Sequence, residues 1–263
     1  MRRTIGLGSA HCCPAAGDPR IVKVVVVYKW ARDPEDAAVR ADGTIDWRGA
    51  KMTAGEDDPA VLEVGRAIAG AASAVVGLTI GDGDATWALA RGVEQAVSVP
   101  DAATSADEAS TAAILAAAIR SIGADAVVIG DAEAYPGVAP TIAGLLGWPV
   151  LLGVTGATAE AGRVHASRRV GAIDQSVSLP LPAILGVAAA GAEKQQPGMK
   201  EVLAARKRPV TAQAIAALGV APRAPLEARG NRVPETGNAR IFEGDPEAAA
   251  AGLVAALRAD GVL

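Results

Sequence analysis

Cysteine, histidine and aromatic side chains are all scarce in this chain. The only two cysteines among 263 residues are neighbours, Cys12 and Cys13. Adjacent thiols cannot staple distant segments. With only His11 beside them they fall short of the convergent ligands of a metal site, so no metal is expected. A cysteine-poor chain fits a reducing compartment, and the cytoplasm is the expectation. Aromatics make up 3%, too few for a base-stacking platform. There is no excess of positive charge either, since 25 basic residues face 29 acidic ones; nucleic acid is not an expected partner. No apolar run approaches the ~20 residues that span a bilayer, which argues against direct membrane insertion. Neither a nucleophile–base pair nor a Gly-rich dinucleotide fingerprint is present; Gly81-Asp82-Gly83 is too short for one. The chain alone is therefore expected to have no catalytic residue and to hold no tightly bound FAD.

What is abundant is Ala and Val, and the chain is long enough to bury a core. Residues 1–22 lack periodicity and read as a disordered tail or an over-extended start. Val24 to Tyr28 is a continuous β-branched run, the pattern of a strand buried on both faces. Asp42-Gly43-Thr44 is turn chemistry suited to a small hairpin ending near Asp46. Asp57 or Asp58 can cap a helix with Pro59 in its first turn and Val61, Val64, Ile68 and Ala72 on one face. Further strands are expected over 74–80, 96–99, 126–129 and 150–154. Helices should alternate with them over 85–91, 105–121 and 137–146, with Ser105 and Glu108 forming a capping box. Such alternation predicts a doubly wound, mainly parallel α/β sheet over residues 23–209. Segments 163–170, 175–179 and 183–187 read as antiparallel strands added at one edge. Gly198 to Arg206 reads as a helix. Residues 210–263 read as a C-terminal arm ending in a helix, Asp245 to Ala259, with Leu253, Val254 and Leu257 as its stripe. Such an arm is expected to pack on a partner subunit or fold back.

Ligands of open α/β sheets sit beyond the carboxyl ends of strands, where strand order reverses. The loops after the first, second and fourth strands are therefore the candidate site. They carry Tyr28, Lys29 and Asp33; Thr79 and Gly81; and Gly130, Asp131, Gly137, Val138 and Thr141. Lys29 and Asp33 fit either ligand contact or a solvated ion pair, and the glycines fit either close approach of a ligand or ordinary turns. Trp30 is placed to cover a ligand, whereas Trp87 and Trp148 read as core. His165 reads as a surface strand residue, since no partner for acid–base work is identifiable.

Lys23 to Lys29 with Asp33, Asp42-Gly-Thr44, and Asp57 ahead of Ala60 to Glu63 resemble the opening of the electron-transfer flavoprotein beta subunit family. Gly81, Ala96 to Val99, Ala124 to Gly130, Leu145 to Pro149, Leu181-Pro-Ala183 and Glu243 to Glu247 continue the resemblance in order across residues 23–263. It implies an adenine-nucleotide α-hydrolase-like sheet and a heterodimer. In that heterodimer an alpha-like subunit holds the redox-active FAD, and electrons pass between a partner dehydrogenase and an acceptor. It also implies AMP, or a second FAD, in the beta subunit. Arg168 matches a position near the subunit interface, and Lys194 to Gly198 matches a loop that docks redox partners. The nucleotide loop departs from the family: Gly130 to Gly137 is short, Gly137 stands where Gln is expected, and Ala54-Gly55 replaces Asn-Pro. AMP is thus expected to bind weakly or not at all. A stand-alone nucleotide sensor and a beta-like structural subunit that has lost its nucleotide are the alternatives.

Overall fold

The computed structural model describes residues 22–70, 73–81, 83–102, 107–131, 135–188, 196–220 and 239–263. The expected tail, the Ser105 cap, Ala72 and Lys194 lie outside the described residues, as does most of the segment linking residue 220 to the terminal helix. The chain divides into two compact units. The first comprises residues 1–36 and 47–227; the second comprises 37–46 and 228–263.

The first unit is built on one nine-stranded sheet. Its strands are β1 (Val24–Val27), β6 (Val75–Ile80), β7 (Gln95–Val99), β8 (Ala126–Gly130), β9 (Val150–Glu160), β10 (Arg163–Val170), β11 (Ile173–Pro180), β12 (Ala183–Val187) and β13 (Val210–Ala212). The order across the sheet is β11-β10-β9-β12-β8-β1-β6-β7-β13. All neighbouring pairs are parallel except β9–β10 and β10–β11. A small antiparallel pair, β2 (Trp30–Arg32) with β5 (Met52–Ala54), lies in the loop after β1. This is the doubly wound α/β fold that the alternation predicts. Strands β10 and β11 are the antiparallel edge additions expected there.

Residues 183–187 correct the reading of a third edge strand. The segment is β12, parallel to both β8 and β9 and lying between them, with all five residues buried. Its unbroken Ala-Ile-Leu-Gly-Val run lacks the alternation of a half-solvated strand, which is the signature of a parallel strand covered on both faces. The segment from Val210, read as arm, opens with β13 alongside β7 and continues into the short helix α6 (Ile215–Leu218).

Alternating side chains of β1 divide the core. Val24, Val26 and Tyr28 pack with α1 (Asp58–Ala69), α2 (Ala85–Leu89) and Ala205 of α5 (Met199–Ala205). Val25 and Val27 pack with α3 (Glu108–Ile122) and α4 (Val138–Leu146). Helix α3 is capped by Asp107, whose carboxylate accepts from Ser110 N–H at 2.8 Å. Glu108 is thus the first helical residue, not the third of a capping box. Gly123 closes α3 in the left-handed conformation, as expected.

Gly65 of α1 is required by proximity. A Cβ there would collide with Val26 Cγ2 on the central strand, whereas Gly144 in α4 has open space around it. Gly65→Ala is therefore expected to lose about 1–3 kcal/mol to overpacking, outweighing its gain in helix propensity. Gly144→Ala should instead gain up to ~1 kcal/mol. Urea midpoints of the two variants should move in opposite directions; a shared direction would contradict the close approach of α1 to β1.

The second unit holds the expected hairpin, β3 (Ala38–Val39) with β4 (Ile45–Asp46), and α7 (Pro246–Ala259). Asp42 Oδ1 accepts from the Thr44 N–H and hydroxyl to shape the turn. Asp245 caps α7 by accepting from Glu247 and Ala248 N–H. Only Ala256 of this helix is buried.

Candidate functional site

Strand β1 is flanked by β6 on one side and β8 on the other, so successive crossovers leave it in opposite directions. The loops at its carboxyl end therefore part, and a crevice opens there. The crevice has a volume of about 150 Å³. Val27, Ile80, Leu115, Ile129 and Val138 give it apolar walls, and Trp30 and Tyr135 are aromatic residues that line it.

Of the residues nominated from sequence, Tyr28, Lys29, Thr79, Gly130 and Val138 line this crevice, and so does Trp30. The other five are engaged elsewhere. Asp33 N–H donates to Lys51 O, and its Oδ1 accepts from Glu35 N–H, turning the chain into a short 3-10 helix. Gly81 has a positive φ and donates to Val99 O. Asp131 accepts from Gly153 N–H at 2.8 Å, tying the end of β8 to β9. Gly137 precedes α4, and Thr141 N–H donates to Gly137 O within it. Lys29 and Asp33 do not form the ion pair that was one of their two readings. The Lys29 ammonium lies over the Tyr135 ring, 4.5 Å from its centroid, and reaches the Tyr135 hydroxyl at 3.4 Å.

The side chain that organises the crevice is Asp58, which sequence reasoning treated only as a helix cap. The cap position is Asp57, without a side-chain cap bond, and Asp58 is the first residue of α1. Asp58 is 4% exposed. A single oxygen, Oδ2, accepts from Lys29 N–H at 2.9 Å and from Gly55 N–H at 2.6 Å. It thereby joins the loop after β1 to the loop before α1. Burial raises its pKa from the ordinary 3.8 to about 7; the two N–H donors oppose that rise, and the Asp57 charge adds to it.

Tyr28 and Thr79 carry buried hydroxyls, and among the described residues neither Tyr28 OH nor Thr79 Oγ1 has a hydrogen-bond partner. Burial, then the charges of Asp84 and Asp58, push the Tyr28 phenol well above its ordinary pKa. It stays protonated, so it is a donor that lacks an acceptor. Buried polar groups are almost always paired, and each orphan costs roughly 1–3 kcal/mol. Tyr28 is held in place by stacking on Trp87, with ring centroids 5.7 Å apart.

From α3 come Glu108, Thr111 and Leu115, none of them nominated from sequence. The Glu108 carboxylate lies against Gly137, where a Cβ would strike its Oε2.

Elsewhere, Arg168 Nε donates to Gln175 Oε1 at 2.9 Å, while Arg169 forms an exposed pair with Asp174. His165 is exposed on β10 opposite Ser178, with no carboxylate or thiol across from it. Trp87 and Trp148 pack against the core from partly buried positions. Among the described residues no group of three His, Cys, Asp or Glu converges as for a metal ion, and no helix is long and apolar enough to cross a membrane.

The family model described as "Electron transfer flavoprotein domain" covers residues 44–218, about two thirds of the chain.

Proposed function

The chain belongs to the electron transfer flavoprotein domain family, and from that premise we propose that it is a beta-type subunit. In this reading it associates with an alpha-like, flavin-bearing subunit and supports the FAD held there, through which electrons pass between a dehydrogenase and an acceptor. The ordered resemblance of residues 23–263 to beta subunits supports this assignment, because the matched domain occurs in both subunit types.

The single observation that carries the association is the unburied apolar surface of the second unit. Ile241 is 78% exposed, and Leu253, Val254, Val262 and Leu263 are exposed as well. Large apolar side chains clustered in one short stretch mark an interaction surface, since burying each is worth about 1.5–3 kcal/mol. A stand-alone sensor domain has no use for such a surface. The crevice favours flavin on the partner rather than on this chain, as about 150 Å³ is below the roughly 300–1,000 Å³ of sites for larger ligands.

Co-expression with the alpha-like flavoprotein tests the proposal. The expected result is a stable heterodimer carrying FAD. Ile241→Asp combined with Leu253→Asp should weaken association at least tenfold, because two apolar contacts are replaced by buried charges. A full-length chain that captures no flavoprotein, or a double variant that binds as tightly as the parent, would sink the assignment.

A further inference from the structure

We propose that Asp58 is the latch of a flap, the β2–β5 pair, which carries part of the crevice wall and opens when the carboxyl ionises. The inference concerns the first unit alone. It does not rest on the beta-type assignment, so the failure of either leaves the other standing.

The flap is defined by its two legs. The chain leaves β1 through Lys29, enters β2 at Trp30 and returns through β5 to Gly55. Trp30 pairs with Ala54, so Lys29 and Gly55 meet at the base. Asp58 Oδ2 accepts from both of their N–H groups and fastens the two legs to the first turn of α1. Gly55 lies so close that a Cβ there would come within 3.0 Å of the same oxygen. Beyond its base the flap is bonded within itself. Asp33 N–H donates to Lys51 O, and the Arg32 guanidinium donates to Trp47 O and Ala50 O. No residue of β2 or β5 is buried. A segment tied within itself but sparsely packed on the core is the kind that opens locally. Trp30 and Ala31 line the crevice, so such opening uncovers it.

Ionisation loosens this latch because the closed flap keeps water from the carboxyl. Burial delays its ionisation to about pH 7; the Lys29 and Gly55 N–H groups oppose the delay, the Asp57 charge adds to it and the Lys29 ammonium opposes it. The other titratable groups lining the crevice are Glu56 on the same loop, Glu108 on α3, Tyr28 after β1 and Tyr135 before α4. From β8, Gly130 lies against Asp57, and Asp84 at the start of α2 acts on Tyr28. Lifting the flap admits water and returns the Asp58 carboxyl toward its ordinary 3.8. Opening therefore releases a proton between about pH 4 and pH 7, and rising pH favours it.

Amide hydrogen exchange of the full-length chain at pH 5, 6, 7 and 8 tests this, read as protection factors so that the pH dependence of the chemical step is removed. Amides of residues 29–32 and 52–55 should be less protected than those of Val127 to Ile129 on β8 at every pH. Their protection should fall at least tenfold from pH 5 to pH 8. In Asp58→Asn the side-chain carbonyl still accepts both N–H groups but cannot ionise, and the fall should shrink to less than about threefold. Flap protection that stays constant with pH in the parent overturns the proposal without any variant. So does flap protection equal to that of β8 at every pH, since the segment then opens only with the whole fold. A fall as steep in Asp58→Asn as in the parent assigns the pH dependence to another group and overturns it too.

Discussion

Between pH 4 and pH 7 the folding stability is expected to fall with rising pH on account of one residue, Asp58, and Asp58→Asn should abolish that fall. In the unfolded chain the carboxyl ionises near its ordinary 3.8, whereas in the fold burial holds it up to about 7. In that window the native state binds more protons than the unfolded state, so stability drops as pH rises. The contribution is fully present below pH 4 and lost above about pH 7. At about 1.4 kcal/mol per pH unit, the loss approaches ~4 kcal/mol as an upper value. An amide keeps what the site needs. Both N–H donors, from Lys29 and Gly55, converge on a single oxygen, and an asparagine carbonyl can accept both without charge. Asp58→Ala is a different change. It strands two backbone N–H groups at a buried position, each costing roughly 1–3 kcal/mol. The expected order at pH 8 is Asn above Asp, with Ala lowest by about 3 kcal/mol or more. Urea unfolding at pH 5, 6, 7 and 8 measures all three; parent and Asn variant curves that run parallel across the window would refute the buried-acid account.

The two kinds of information in the sequence explain why so much of the sheet was legible and so little of the crevice. Strands β1, β6, β7 and β8 are short apolar runs bounded by turn residues, and such runs announce buried strands without reference to anything distant. The loops at their carboxyl ends follow from topology, which is how Tyr28, Lys29, Thr79, Gly130 and Val138 could be nominated. Asp58 and Glu108 carry no local signal of that kind. An acidic residue in the first turn of a helix satisfies the dipole in almost any protein. Whether it also reaches into a site depends on which face of the helix meets the sheet. The contact of Glu108 with Gly137 leaves no local mark in the sequence. The same limit applies to the nominated Asp131, whose position after β8 looked like a ligand contact. Its partner, the Gly153 N–H, lies on a strand that becomes its neighbour only when β12 and β9 are placed.

The placement of β12 carries the largest expected effect in the core. Had residues 183–187 formed an outer antiparallel strand, truncating one of their side chains would cost little. In the observed sheet Ile184 and Leu185 are both fully buried, one packed against each face. Leu185 sits among Val26, Val128, Val154 and Val187 in the cluster that backs α1. Its strand is held by parallel pairing on both sides, so the neighbouring strands cannot shift independently to close a void. Leu185→Ala should therefore cost about 3–5 kcal/mol, the upper part of the range for buried leucine. Val177 lies on β11 at the end of the sheet and is only partly buried. Val177→Ala should cost less than about 1 kcal/mol, since it leaves a site already open to water. The contrast between the two is the informative quantity. Equilibrium urea denaturation of both variants beside the parent measures it, and the slope of each curve shows whether unfolding stays two-state. Equal costs at the two positions would return residues 183–187 to the edge. A cost near 4 kcal/mol at Leu185 alone would place the strand where the unbroken apolar run requires it, between β8 and β9.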